Sequence, residues 1–169
     1  MTPWSKHSRI EPKIDAARRL WRQYYKWKLN FFDTVDDALI KFAVIISKFG
    51  DKWVFCKHKE RQPFEVPGGH SEMGESIIDT AKRELHEETG AVDFMIEPVC
   101  VYSVIGKNRV NDTGEEMYGM LYFAKIAKFE AELHSEIEKV FIFDELPSEW
   151  TYPLIQPKLI EEAGRRGYL

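Results

Sequence analysis

Hydrophobic residues change their spacing several times along this chain, and each spacing predicts a different kind of element. Between residues 12 and 29 they recur every three or four positions, which is typical of an amphipathic helix with one apolar face. From Leu39 onward they gather in short runs bounded by turn residues, and such runs predict buried strands. The predicted strands cover residues 42–46, 53–56, 64–66, 99–105, 117–126 and 140–143.

Two further helices are predicted, one in the middle of the chain and one near its end. Ser76 is followed three residues later by Asp79, a pattern similar to a capping box at a helix start. Gly90 suits the left-handed position that ends a helix, so the middle helix is predicted over residues 77–89. The last helix is predicted over residues 153–164. Strands with one helix between them and one after them predict a mixed sheet with helices on both faces.

Charge is unevenly distributed along the 169 residues, whose formal net charge is −4. Residues 1–30 hold eight Lys or Arg against two Asp or Glu. We therefore expect a basic amphipathic N-terminal extension over residues 1–30, followed by a separate domain over residues 36–169. The apolar stripe of the extension would pack on that domain or on a second copy in a homodimer. Its basic face would attract a phosphate-rich partner such as an RNA 5′ end.

Composition excludes several classes of protein. Apolar residues make up 44% and charged residues 31% of the chain, which is typical of a globular domain rather than a disordered one. No apolar run approaches the length of a membrane span, and the first residues do not resemble a secretory signal. Cys56 and Cys100 lie in strand-like runs, so we expect two buried free thiols, a cytoplasmic location and no membrane association.

Three carboxylates occupy the predicted middle helix. Glu84 and Glu88 fall at the edge of its apolar face, and Glu87 lies one turn from Glu84 on the adjacent side. A solvated acidic helix face is the simplest interpretation. However, like charges three or four residues apart repel, and partly buried carboxylates cost free energy unless they are paired. A divalent cation removes both costs, and Mg²⁺ prefers carboxylate, water and phosphate oxygens.

The spacing around these glutamates resembles the Nudix box, the signature of the Nudix hydrolase family. Every specified position of that box is matched, by Gly69, Glu75, Arg83, Glu84, Leu85, Glu87, Glu88, Gly90 and Ala91. The resemblance implies an α/β fold of the Nudix type, an α/β/α sandwich with a mixed β-sheet, here with an N-terminal helical extension. It also implies an enzyme that cleaves a phosphoanhydride bond in a nucleoside diphosphate linked to some group X.

The same resemblance assigns a metal site to the box. Glu84, Glu87 and Glu88 would hold Mg²⁺ together with the backbone carbonyl of Gly69, and Mn²⁺ would substitute for it. Glu84 and Glu88 would also be catalytic, since either of them would help to deprotonate the attacking water. The metal would neutralise phosphate charge and lower the pKa of a bound water.

Other roles implied by the resemblance concern orientation and structure. Arg83 would contribute to catalysis by orienting the glutamates through charge-assisted hydrogen bonds. Glu75 and Gly90, like Gly69, would have structural roles in the box. Outside the box, Glu136 stands in a Glu-Ile-x-x-x-Phe context similar to a downstream pattern of the family. It is therefore either an additional base or metal ligand, or a surface glutamate.

The substrate is predicted mainly by elimination. Gly106 stands where ADP-ribose-cleaving members tend to carry Pro, and the signatures of members acting on dinucleotide polyphosphates, NADH and CoA are absent. A purine nucleoside triphosphate remains, and the lead-in Phe-Glu-Val-Pro-Gly-Gly is similar to that of YtkD-type 8-oxo-dGTP diphosphatases. ADP-ribose, a dinucleotide polyphosphate, a 5′-triphosphorylated RNA and a non-catalytic nucleotide-binding role stay open as alternatives. The candidate substrate contacts are Arg61, Phe64, Lys107, Arg109 and Tyr118.

Overall fold

The computed structural model describes residues 27–58, 63–107, 111–130 and 137–169. Its strands are β1 (Lys28–Phe32), β2 (Ile40–Phe49), β3 (Lys52–His58), β4 (Gly68–His70), β5 (Ala91–Ile105), β6 (Met117–Phe129) and β7 (Ile137–Phe143). Its α-helices are α1 (Ile77–Thr89) and α2 (Gln156–Arg165), and a short 3₁₀ helix covers Asp37–Leu39. Across these ranges, no helix has both the length and the apolar character needed to cross a membrane.

The described strands join one mixed sheet, as the sequence predicts. Six of them follow the order β1-β5-β6-β2-β3-β7, and β4 pairs with β2 beside this path. Strands β2 and β6 run parallel, from the pair Ile40 and Tyr118 to the pair Phe49 and Ile126, and the other pairs are antiparallel. Because β3 pairs only with the last three residues of β2, the first half of β2 is free to pair with β4.

Side chains of β2 alternate between two hydrophobic cores, one on each face of the sheet. Ala43 and Ile45 belong to the core that includes Ala81 and Leu85 of α1. Ile46 belongs to the opposite core, which contains four residues from α2 and the turn before it: Ile155, Leu159, Ile160 and Ala163. One helix therefore covers each face, which confirms the predicted α/β/α sandwich.

Helix α1 begins and ends where its capping residues predict. The Asp79 N–H donates to the Ser76 Oγ at 3.3 Å, and Gly90 adopts a left-handed φ of 72° at the other end. Both caps form within a few residues, so the local sequence was sufficient to predict this helix. Helix α2 starts at Gln156, later than predicted, because Pro153 and the residues after it form a turn instead.

Strand β1 corrects the prediction for the end of the N-terminal extension. We expected the basic helix to reach residue 29 and the extension to reach residue 30, but residues 28–32 form an edge strand paired with β5. Leu29 and Phe31 both pack on the core that contains Leu159 and Ile160 of α2, and this alternation has the period of a strand. The remainder of the expected helix lies outside the described residues, so its contacts with RNA or a second copy stay predictions.

An ionic network around the buried Glu162 joins the end of α2 to the chain that follows β1. Glu162 is only 6% exposed and accepts hydrogen bonds from both Arg165 and Arg166. Those bonds lower the pKa of Glu162 to about 2, so it is ionised at neutral pH. Arg166 also donates to Asp33 at 2.8 Å. The network therefore fixes α2 against the edge of the sheet that β1 forms.

We expect Gly119→Ala to destabilise the sheet, because an added Cβ would lie 2.2 Å from Cε2 of Phe42. Overpacking of this kind costs about 1–3 kcal/mol. Gly164→Ala in α2 is the control, because its Cβ would meet Leu169 only at an ordinary 3.8 Å. Alanine in a helix is favoured over glycine by about 1 kcal/mol. Urea unfolding should show free-energy changes of opposite sign, and an unchanged value for Gly119→Ala would contradict this account.

Candidate active site

Strand β4 brings the glycine turn into contact with α1. Gly68 and Gly69 pair with Val44 and Ala43 of β2, and α1 packs across both strands. The Gly68 N–H donates to Oε2 of Glu88 at 2.8 Å. The glycine turn and the last glutamate of the box are 20 residues apart in sequence, and this bond joins them directly.

Gly69 has no room for a side chain. A Cβ at this position would lie 2.1 Å from Oε1 and 2.7 Å from Oε2 of Glu84. The Glu84 carboxylate therefore lies against the Gly69 backbone, and any larger residue would displace it. Two groups that the family resemblance assigns to one metal site are thus side by side.

Arg83 links the acidic residues of the site to the loop before α1. Its Nε and Nη2 donate to the two carboxylate oxygens of Glu75 at 2.9 and 3.0 Å. Its Nη1 donates to Glu84 at 2.7 Å and to Glu87 at 3.1 Å. Nη2 also donates to the His70 carbonyl at 3.1 Å. One guanidinium therefore fixes the positions of three carboxylates, as expected of an orienting residue.

Glu75 is held by more than Arg83. Its Oε2 accepts hydrogen bonds from the Glu72 N–H at 3.0 Å and from the Thr80 Oγ1 at 2.8 Å. The bonds from Arg83, and after them the bond from Glu72, lower the pKa of Glu75 to about 2. A carboxylate with these partners anchors the loop and the guanidinium.

Glu88 is the buried carboxylate of the site. Burial raises the pKa of Glu88 to about 8, and the hydrogen bond from Gly68 offsets only part of this effect. The negative charges of Glu84 and Glu65 raise the pKa of Glu88 further. Burial also raises the pKa of Glu84, although Arg83 opposes that shift. The surroundings of both glutamates therefore do not fully stabilise their ionised forms.

This donor set fits a divalent cation. Three carboxylates beside a glycine turn, two of them with raised pKa, offer the oxygen ligands that Mg²⁺ prefers. Across the described part of the chain, however, no three His, Cys, Asp or Glu side chains already converge on a common point. Nη1 of Arg83 pairs with both Glu84 and Glu87 in this arrangement.

Cys56 is a neighbour of the site that sequence reasoning missed. Its Sγ lies 3.7 Å from Oε2 of Glu88 and 3.5 Å from the Glu65 carbonyl. Burial first, and then the charge of Glu88, raise the pKa of this thiol well above its ordinary value. The sequence places Cys56 correctly in a buried strand, but only the pairing of β3 and β4 around β2 shows which residue it faces.

The structure places the candidate substrate contacts in different surroundings. Phe64 lies in an aromatic cluster, with ring centroids 4.9 Å from Phe141 and 5.1 Å from Phe143, which supports a packing role. The Tyr118 ring lies 5.9 Å from that of Phe32, and Lys107 is exposed, so their roles in binding stay predictions. The remaining candidates fall outside the described residues: Arg61, Arg109 and the possible extra base Glu136.

Comparison with known proteins identifies the class that this fold and site define. The family model described as the NUDIX domain matches residues 39–162. The chain therefore belongs to the Nudix family and is a Nudix pyrophosphohydrolase, as its box predicts. Hydrolases of this family generally use divalent metal ions.

Two proteins of Bacillus subtilis are similar to this chain, one in sequence and one in structure. The chain is 33% identical over 130 residues to "Putative 8-oxo-dGTP diphosphatase YtkD" of Bacillus subtilis (strain 168), covering 75% of this chain and 78% of that protein. It is similar in structure to the Bacillus subtilis pyrophosphohydrolase BsRppH, solved as a mutant, with a TM-score of 0.70 and 27% identity. That alignment covers 86% of this chain and 96% of BsRppH.

A more distant structure supports the fold alone. The NUDIX domain of Shewanella oneidensis NrtR, solved in complex with ADP-ribose, aligns with a TM-score of 0.55 at 18% identity. It covers 79% of this chain and 93% of that domain. Nudix folds of similar shape thus bind different nucleotides, so the fold does not identify the substrate of this chain.

The raised pKa of Glu88 predicts how the stability of the metal-free protein depends on pH. With a pKa of about 8 when folded and 4.5 when unfolded, the folded protein binds the extra proton between these values. Stability therefore falls as pH rises through this window. In EDTA, we expect the melting temperature to drop by roughly 5 °C more between pH 5 and 8 in wild type than in Glu88→Gln.

The control for this measurement is Glu97→Gln, because Glu97 is an exposed residue of β5 away from the box. It should keep the wild-type pH dependence of the melting temperature. Identical slopes for wild type and Glu88→Gln would show that Glu88 is not the buried, proton-binding carboxylate described above.

Proposed function

We propose that this Nudix hydrolase cleaves a purine nucleoside or deoxynucleoside triphosphate, or an oxidised form such as 8-oxo-dGTP, to the monophosphate and pyrophosphate. The assembly of the box glutamates and Arg83 against the Gly68–Gly69 turn supports phosphoanhydride hydrolysis. The substrate assignment is supported by the likeness to the relative named YtkD, over three quarters of the chain.

The metal in this proposal is Mg²⁺, with Mn²⁺ as a substitute. Glu84, Glu87 and Glu88 would hold it together with the Gly69 carbonyl, since these groups are the oxygen donors gathered at the turn. When bound, the ion supplies charge neutralisation for the phosphates and lowers the pKa of a water molecule. Arg83 positions Glu84 and Glu87 for this task through its Nη1 hydrogen bonds.

Glu88 is the better placed of the two candidate bases. The Glu84 carboxylate is ion-paired with Nη1 of Arg83, which lowers its basicity, whereas Glu88 accepts from the neutral Gly68 N–H. In the proposed step a water proton passes to the Glu88 carboxylate while the water oxygen attacks a phosphorus atom. The bond from that phosphorus to the bridging oxygen breaks, and pyrophosphate leaves. The Gly68 N–H keeps Oε2 of Glu88 in place during this transfer.

Glu88→Gln tests the catalytic assignment. The substitution keeps the size of the side chain but removes its charge and its capacity to accept a proton, so kcat should fall by about 10² to 10⁴-fold. Circular dichroism should show an unchanged fold, and Glu97→Gln should keep wild-type kcat. Activity within threefold of wild type in Glu88→Gln would exclude it from the chemical step.

A substrate panel tests the specificity. With Mg²⁺ present, kcat/KM is measured for dGTP, 8-oxo-dGTP, ADP-ribose, a diadenosine polyphosphate and 5′-triphosphorylated RNA, and the released phosphate species is identified. We expect preference for dGTP or 8-oxo-dGTP with release of pyrophosphate. Preference for ADP-ribose, the dinucleotide or the RNA would keep the hydrolase chemistry and reject the substrate. No turnover on any of them would favour a nucleotide-binding role.

A further inference from the structure

Both hydrogen bonds that the described residues make to the Glu88 carboxylate end on the same oxygen. Oε2 accepts from the Gly68 N–H at 2.8 Å, and it lies 3.7 Å from Sγ of Cys56, within reach of a thiol donor. Oε1 accepts no hydrogen bond from these residues. It is not buried either, since among the described residues the one buried side-chain oxygen without a partner belongs to Gln156. The carboxylate therefore has one oxygen held by two donors and one open oxygen.

The thiol of Cys56 has one proton and two acceptors within reach. Besides Oε2 of Glu88, the Glu65 carbonyl oxygen lies 3.5 Å from Sγ. That carbonyl already accepts the backbone N–H of Cys56 at 3.0 Å. A carboxylate oxygen is also a stronger hydrogen-bond acceptor than a peptide carbonyl oxygen. The S–H group is therefore best satisfied by donating to Glu88.

The two donors come from two different strands. Cys56 is fully buried in β3, where it pairs with Val140 of β7 and forms an isolated bridge with Glu65. Gly68 lies in β4 and pairs with Val44 of β2. The sheet therefore fixes the position of each donor, and sites built on strands hold their geometry more closely than sites built on loops.

A second donor matters because the last torsion of a glutamate side chain is soft. That torsion has broad, roughly two-fold preferences, so a single hydrogen bond to one oxygen leaves the carboxylate plane free to rotate. Donors from two directions hold the plane and prevent the two oxygens of Glu88 from exchanging places. The open oxygen is then always Oε1.

We propose that Cys56 is a positioning residue for the hydrolysis. Its thiol and the Gly68 N–H together fix Oε2 of Glu88, so that Oε1 is the oxygen presented to the metal ion and the attacking water. No bond to sulfur forms or breaks in this role. The inference rests on the proposed function, because it assumes that Glu88 is a metal ligand and the base. A cysteine that only filled space in β3 would be replaceable by an apolar residue of similar size, and this difference can be measured.

Kinetics of three variants test the role. Cys56→Val removes the donor but keeps an apolar side chain that suits a strand. It should lower kcat by roughly 5- to 50-fold and leave KM within about threefold, because Glu88 is misaligned while the substrate contacts stay. Cys56→Ser keeps a donor and should stay within about threefold of the wild-type kcat. Cys100→Val is the matched control, since Cys100 is the other buried thiol and lies in β5, and it should keep the wild-type kcat.

Melting temperatures separate positioning from packing. If Cys56 only packed, kcat would follow the melting temperature, and Cys56→Ser, which buries a hydroxyl group, would be no more active than Cys56→Val. The proposal predicts that the serine variant is clearly the more active of the two. Wild-type kcat in Cys56→Val would overturn the proposal, as would equal losses of kcat in the valine and serine variants.

Infrared spectroscopy tests the contact itself and needs no catalysis. Cys100→Val leaves Cys56 as the only thiol of the chain, so its S–H stretching band can be observed alone. Donation to an oxygen weakens the S–H bond, so the band should move to higher frequency when Glu88→Leu is added to this variant. An unchanged frequency would overturn the proposal and leave the hydrolase chemistry intact. A shifted band supports the contact even if near wild-type kcat in Glu88→Gln rejects the base assigned in the proposed function.

Discussion

The burial of the Glu88 carboxylate against the glycine turn constrains the rest of the site. Its strongest partner is the Gly68 N–H, and that bond requires β4 to stay paired with β2 at Val44. One backbone donor does not compensate a charge in this position, which is why the pKa of Glu88 is raised to about 8. The fold therefore holds a carboxylate where a proton or a cation must complete its surroundings.

Arg83 donates from two nitrogens to Glu75 and from one nitrogen to both Glu84 and Glu87. Glu75 accepts hydrogen bonds from Nε and Nη2 of Arg83 and from further donors. It therefore stays ionised and fixes the guanidinium. Glu84 and Glu87 share the single Nη1. A divalent cation bound to these carboxylates would compete with that shared donor.

Features of this fold that depend on short stretches of sequence were predictable, and those that depend on distant pairing were not. Helix α1 was predicted to the residue because Ser76 and Gly90 cap it locally. The hydrophobic pattern predicts the end of a helix where β1 forms, because Asn30 of β1 pairs with Ser103, 73 residues away, and such a distant partner leaves no local signal. The contact of Cys56 with Glu88 has the same non-local origin.

Gln156 shows what a hydrophobic pattern leaves out. The apolar positions of the last helix predicted its buried face, but Gln156 interrupts that face with an amide oxygen that has no hydrogen-bond donor among the described residues. A leucine there would continue the pattern and remove an unpaired polar group from the core.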